Sequence, residues 1–109
     1  AVHMDGRMRS LLPAVADASF DIVEALTPLP VGDVSVAEAR AAWPDKALWL
    51  NFPSSVHIAS DEIIAEQARQ LIQEGGSKAG FAIGITEDVP LEHCARSLRA
   101  ISRVIHEMA

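Results

Sequence analysis

A chain of 109 residues, 50% apolar and 22% charged, is long enough for one domain with one core and too rich in apolar residues to stay disordered. Nine Lys and Arg against fifteen Asp and Glu leave a formal charge of −6, which disfavours a nucleic-acid backbone as partner. No apolar run approaches the ~20 residues of a membrane span, and the lone cysteine, Cys94, with no basic-then-apolar leader, fits a cytoplasmic, reducing compartment.

Residues 1–5 (AVHMD) predict a short strand closed by Gly6. "RSLLPAVADASF" predicts a short helix with Pro13 in its first turn and Leu11, Leu12, Val15 and Ala16 toward the core. A second strand is expected over 21–27 (DIVEALT), followed by a loop, "PLPVGD". Ser35 and Glu38 form a capping box for "VAEARAAW", which Pro44 stops. A third strand spans 46–52 (KALWLNF). The next helix starts at Ser60, carries Asp61 and Glu62 in its positive first turn and ends at Gly75-Gly76, with Ile64, Ala68, Leu71 and Ile72 as its core stripe. The fourth strand covers 80–86 (GFAIGIT), and a helix behind Pro90 sets Leu91, Ala95, Leu98, Ile101 and Ile105 on one face. Four strand-helix units with continuous apolar strands imply an α/β fold with a parallel sheet.

In such folds ligands bind beyond the carboxyl ends of the strands. That rim collects His3 and Asp5 from the first strand, Glu24 and Thr27 from the second, Asn51 from the third, and Glu87 with Asp88 from the fourth. Side chains two apart on a strand face the same way, so His3 and Asp5 can converge on one point. An imidazole with carboxylates is a sound ligand set for zinc or another divalent ion with one position left open. The spacing alone is a weak metal signal and more often means a histidine hydrogen-bonded to a carboxylate, or an "HM" left from an expression tag.

The stretch "EALTPLPVGDVSVAEARAAWPDKALWLNFPSSV", with the opening strand's His-x-x-Gly and the Pro-led last helix, resembles the C-terminal half of the uroporphyrinogen decarboxylase superfamily. That superfamily includes the cobalamin-dependent methyltransferases. The resemblance covers nearly all of residues 1–109 and implies a parallel (βα)4 half of a TIM barrel, with "AVHMDGR" as the fifth strand. Open edges and an uncovered interior then imply completion by a second copy or by an N-terminal half.

The methyltransferases hold zinc through His-x-Cys on the fifth strand and a Cys after the eighth. By position these fall on His3, Asp5 and Glu87, so both thiolates are replaced by carboxylates, which still ligate metals but more weakly prefer zinc. The resemblance therefore implies a metal at His3, Asp5 and Glu87 and a small methylated substrate or the methyl group of a corrinoid carried by a partner protein; of the rim residues, Glu24 and Asn51 are the candidate catalytic ones, with Glu24 either an interior ligand or acid/base group or the partner of a nearby cation. The metal-free decarboxylases usually have Gly-His-Gly where this chain has "ITED", which makes porphyrin decarboxylation the alternative, beside a non-catalytic, self-assembling half-barrel.

Of the remaining residues, His57 near the third-strand rim is a candidate for the site or a loop residue, and His93 and His106 are expected at the surface. Cys94 is expected to be a small core residue, and Trp43 and Trp49 to pack between helix and strand. Arg7 and Arg9 are candidates for an anionic substrate or for solvated surface.

Overall fold

A computed structural model describes residues 1–76, 79–85 and 88–109. Four parallel strands, β1 (Val2–His3), β2 (Ile22–Leu26), β3 (Ala47–Asn51) and β4 (Phe81–Gly84), alternate with four helices, α1 (Leu12–Asp17), α2 (Val36–Ala42), α3 (Asp61–Gly75) and α4 (Leu91–Met108). Short 3-10 turns lead into α1 (Arg9–Leu11) and follow β3 (Ser54–Val56). The predicted α/β class and the order of elements are therefore observed. None of the described helices is long and apolar enough to cross a membrane.

The helix boundaries follow local chemistry. Ser35 Oγ accepts from Glu38 N–H (3.1 Å) while the Glu38 carboxylate accepts from Ser35 N–H (2.8 Å), the reciprocal pair predicted for α2. Ser60 caps α3, and Gly76 closes it with φ 78°. Pro13 sits in the first turn of α1, where no intrahelical donor is lost.

The sheet order is β1-β2-β3-β4, with no reversal. Right-handed crossovers between consecutive parallel neighbours all fall on one side of a sheet. Accordingly α1 packs on α2, α2 on α3 and α3 on α4, and no described helix covers the other face. The strands alternate to match. Val23, Leu48 and Leu50 are buried beneath the helices, with Leu26, Phe52, Ile64 and Ala68 in the same core. Full burial of a Leu or Ile side chain contributes about 1.5–3 kcal/mol.

Glu24, Trp49 and Ala82 alternate onto the bare face, where they continue the row begun by His3. Trp49 keeps 49% of its surface exposed, whereas Trp43 is buried and donates Nε1–H to Leu12 O (2.9 Å). Only Trp43 thus takes the helix–strand position expected of both. The Trp49 indole lies over β4 so closely that a Cβ on Gly84 would meet Nε1 at 2.7 Å. A shallow apolar hollow of about 210 Å³ lies beside it, lined by Ile22, Ala47, Trp49 and Phe81.

The last helix corrects the predicted stripe. Ser97, Ala100, Ile101 and Val104 face the core, and of the expected face only Ile101 is buried. Leu91, Leu98, Ile105 and Met108 form an exposed apolar stripe instead. The polar Ser97 turns inward because it hydrogen-bonds the buried His57 (2.6 Å), which rotates the helix relative to the hydrophobic pattern. Beside the stripe, a groove of about 340 Å³ between α3, α4 and β4 is lined by Ile72, Phe81, Ile83, Ile105 and Met108.

Strand β2 contains an irregularity that periodicity does not announce. Glu24 pairs with Trp49 but Leu26 with Leu50, so Ala25 is an extra residue, and its φ is 65°. This bulge lets both Ala25 and Leu26 be buried and ends the bare-face row at Glu24. Left-handed backbone costs an L-residue roughly 1–2 kcal/mol. Substitution at Ala25 should therefore invert the ordinary strand preference. In chemical denaturation Ala25→Val is expected to lose about 2 kcal/mol or more, since a β-branched residue is an outlier at positive φ, while Ala25→Gly stays within about 1 kcal/mol of the parent.

Candidate functional site

The sheet register brings the ends of β1, β2 and β3 to one rim. His3 is the last residue of β1 and is the register partner of Glu24 on β2. Asp5 follows two residues later, and Asn51 ends β3. Glu87, the expected third ligand, lies outside the described residues; Asp88 beside it is exposed.

His3 stands between two carboxylates. Its Nδ1 lies 2.5 Å from Glu24 Oε2; a carboxylate oxygen accepts, so Nδ1 donates. Its Nε2 lies 4.0 Å from Asp5 Oδ2. His3 and Asp5 side chains are each 64% exposed, while that of Glu24 is 22% exposed. The geometry sets the charged Glu24 against the bare face with an imidazole as partner and leaves the outer nitrogen of that imidazole toward Asp5. A tetrahedral ion with bonds of about 2 Å places its donors about 3.3 Å apart, so rotation of either exposed side chain would bring this pair into range. Among the described residues no group of three or more His, Cys, Asp or Glu is placed to hold a metal. The chain's own chemistry at this point is thus an imidazole and a carboxylate, two members of a set suited to zinc or a harder divalent ion.

Asn51, the other candidate catalytic residue, is buried below the rim. Its Nδ2 lies 3.4 Å from both Ala25 O and Thr27 Oγ1, and Thr27 Oγ1 donates to the same Ala25 carbonyl at 3.3 Å. Asn51 therefore ties the end of β3 to the bulge in β2. The position of Glu24, one residue before that bulge, depends on the tie.

The 28–34 loop is a clasp. Pro28 O accepts from Gly32 N–H (3.1 Å) and Val34 O accepts from Leu29 N–H (3.3 Å), which folds the loop onto the end of β2. The fold is so close that a Cβ on Gly32 would stand 2.0 Å from Thr27 O. Asp33 Oδ1 then accepts from Met8 N–H (2.8 Å) and Arg9 N–H (3.2 Å) across to the segment after β1. Loss of hydration works against the ionised Asp33, but these backbone donors and the Arg9 charge outweigh it and hold the carboxyl below its ordinary range. Arg9 itself reaches Asp33 O (2.7 Å) and the Glu38 carboxylate, so it serves the clasp and is not an open anion receptor. Arg7 is exposed.

His57, a sequence candidate for this rim, is instead a core residue. It is fully buried, packs its ring against Phe52 with centroids 4.9 Å apart, shares the Nδ1 hydrogen bond with Ser97, and leaves Nε2 without a partner among the described residues. His106 is at the surface as expected; His93 is half-buried and touches Arg96 (3.2 Å), and Cys94 is half-buried on α4.

Trp49, expected to pack between helix and strand, instead lies half-exposed on the bare face as the register partner of Glu24. Its alternation with Leu48 and Leu50 carried the signal: if the two leucines face the helices, the tryptophan between them faces away. Comparison with protein-family models, with curated proteins and with solved structures finds no match to this chain.

Burial depresses the His57 pKa below its ordinary value, so the unfolded chain binds a proton that the folded chain resists. That contribution to stability is present above the ordinary histidine range and is lost as pH falls through it toward the lower folded value. Unfolding titrations from about pH 7 to about pH 5 should show stability falling by up to about 1.4 kcal/mol per pH unit beyond the carboxylate contribution. In His57→Phe that extra slope should vanish; an unchanged slope would mean another group carries it.

Proposed function

We propose that this chain is a half-barrel of the uroporphyrinogen decarboxylase-like superfamily, acting in metal-dependent methyl transfer, with His3, Asp5 and Glu87 as the residues that would hold a divalent ion. The observation that carries the reading is the state of His3. Its inner nitrogen is held by Glu24, its outer nitrogen faces Asp5, and the pair stands at the carboxyl end of parallel strands.

The half-barrel part rests on the one-sided winding. Among the described residues, a sheet with helices on one face, a row of His3, Glu24, Trp49 and Ala82 on the other, and outer edges of β1 and β4 without a strand partner supports reading it as a barrel wall. The exposed stripe Leu91–Leu98–Ile105–Met108 gives α4 a second apolar face, as a helix has when it stands between two neighbours in a ring. A companion half, either a second copy or an N-terminal half, would cover face, edges and stripe together.

A bound divalent ion lowers the pKa of a coordinated thiol or water and so supplies a nucleophilic methyl acceptor. The chain's residues supply the rest. His3 and Asp5 present donors to one point and Glu24 sets the histidine ring, whereas the apolar hollow beside Trp49 is lined by the first residues of β2, β3 and β4 and lies toward the opposite, amino end of the sheet. A corrinoid would arrive on a partner protein at this rim. Porphyrin decarboxylation is the weaker reading, because a substrate with many carboxylates would meet Asp5 and Glu24 here, and Arg9 is already engaged.

Metal analysis and zinc titration of the purified, folded protein test the reading. Stoichiometric zinc, or another divalent ion, that is lost in His3→Ala and weakened in Asp5→Asn is the expected result. A folded protein that takes up no divalent metal would overturn it and leave a structural half-barrel.

A further inference from the structure

We infer that Glu24 is a positioning residue: it holds His3 in the Nδ1–H tautomer and thereby turns the Nε2 lone pair toward Asp5 and the open rim. The inference deepens the metal reading of His3, and it concerns an orientation that can be measured with no metal present.

Four observations lead to it. First, the contact is short and direct, Nδ1 to Oε2 at 2.5 Å, on two residues that are register partners in adjacent strands. The separation is set by the sheet and not by a flexible loop. Second, Glu24 has no Lys or Arg partner among the described residues; its hydrogen-bond partner is His3, its side chain is 22% exposed, and its strand neighbour on the other side is Trp49. A largely covered carboxylate on an apolar face needs a strong donor, and the imidazole N–H supplies one.

Third, the Glu24 backbone is fixed on both sides. Its carbonyl accepts from Met4 N–H (2.9 Å) in the next strand, and the bulge at Ala25 follows at once. Ala25 O is in turn bonded by Thr27 Oγ1 at 3.3 Å and approached by Asn51 Nδ2 at 3.4 Å. Fourth, Nε2 is the ring nitrogen that Glu24 does not engage, on a side chain 64% exposed. It faces Asp5 Oδ2 across 4.0 Å, too far for a hydrogen bond and open to a third atom between them. A carboxylate on one imidazole nitrogen that fixes the tautomer and frees the other is the recurrent outer support of a histidine ligand, and its removal typically weakens metal binding about 10–100-fold.

The division of labour follows. Glu24 does not donate to the ion; it acts through His3. That separates it from Asp5, which faces the opposite nitrogen, and gives the two carboxylates flanking one histidine different tasks. It also gives the strained bulge and the Asn51 tie a purpose, since both set the place from which Glu24 reaches.

The test uses the full chain, with Glu24→Ala and Glu24→Gln beside the parent. Nitrogen-15 chemical shifts of the His3 ring, read on metal-free protein in the neutral imidazole form, report the tautomer. The parent and Glu24→Gln, whose amide oxygen still accepts, are expected to show protonated Nδ1; Glu24→Ala is expected to shift toward protonated Nε2. Retention of the Nδ1–H form in Glu24→Ala would overturn the inference. Cobalt(II) titration supplies the second arm, with Glu24→Ala about 10–100-fold weaker than the parent, Glu24→Gln closer to the parent, and the visible spectrum of the bound ion unchanged in shape. A changed spectrum in both variants would make Glu24 a direct ligand and overturn the positioning role. A parent with the expected tautomer but no cobalt binding would support the role of Glu24 while removing the metal reading. Because Glu24 lies on the bare face, thermal melts of both variants should stay near the parent and exclude loss of fold as the cause.

Discussion

Everything in this chain follows from a winding constraint. Parallel strands laid down in sequence order are joined by right-handed crossovers as a rule, and that rule puts the described helices on one side of the sheet. The covered side then takes the large aliphatic residues of β2 and β3, and the core closes around Leu26, Leu48, Leu50, Phe52 and Ile64. The other side must take whatever stands between them. At the rim this places His3 level with Glu24, Glu24 level with Trp49 and Trp49 level with Ala82, a row that no loop has to assemble. Chemistry and bare surface therefore arise together, from the same alternation.

The rim is held by polar links that each satisfy a specific need. Asp33 answers the free N–H groups at the start of the turn before α1 and brings the 28–34 loop back to the first strand. Arg9 answers the carbonyl of Asp33 and the carboxylate of Glu38. Asn51 and Thr27 converge on the carbonyl of Ala25, the residue in a conformation its side chain disfavours. Strain of this kind persists where surrounding bonds over-determine it, and here it lies one residue from the carboxylate that meets His3.

The elements and their order were legible because composition punctuates them clearly. The Ser35–Glu38 box, Pro13, Pro90 and Gly76 each act through backbone donors or dihedrals that sequence declares directly. His3 and Asp5 do lie 4.0 Å apart, but β1 ends at His3, so it is the turn after the strand and not the expected strand periodicity that sets Asp5 there. Other features depend on partners distant in sequence and escaped. The face of α4 is set by Ser97 meeting His57 forty residues away, so its strongest apolar stripe points outward. His57 reads as a rim candidate until that contact shows it as core. The Ala25 bulge has no signal, since alanine is not a residue chosen for positive φ. Trp49 was readable in principle, but an exposed tryptophan is sensible only once the uncovered face is known.

That face is the centre of the account. On the proposed half-barrel reading, the row His3–Glu24–Trp49–Ala82, the outer edges of β1 and β4, which have no strand partner among the described residues, and the apolar stripe of α4 would be covered by a second β/α half, and two copies related by a two-fold axis along the strands would set β4 of each beside β1 of the other. The mass of the folded chain in solution, by light scattering at a series of concentrations, tests this most directly. The account predicts a species of at least twice the 11.7 kDa of one chain, with association and folding lost together on dilution. A stable, cooperatively unfolding species of 11.7 kDa, with Trp49 still open to solvent, would contradict it.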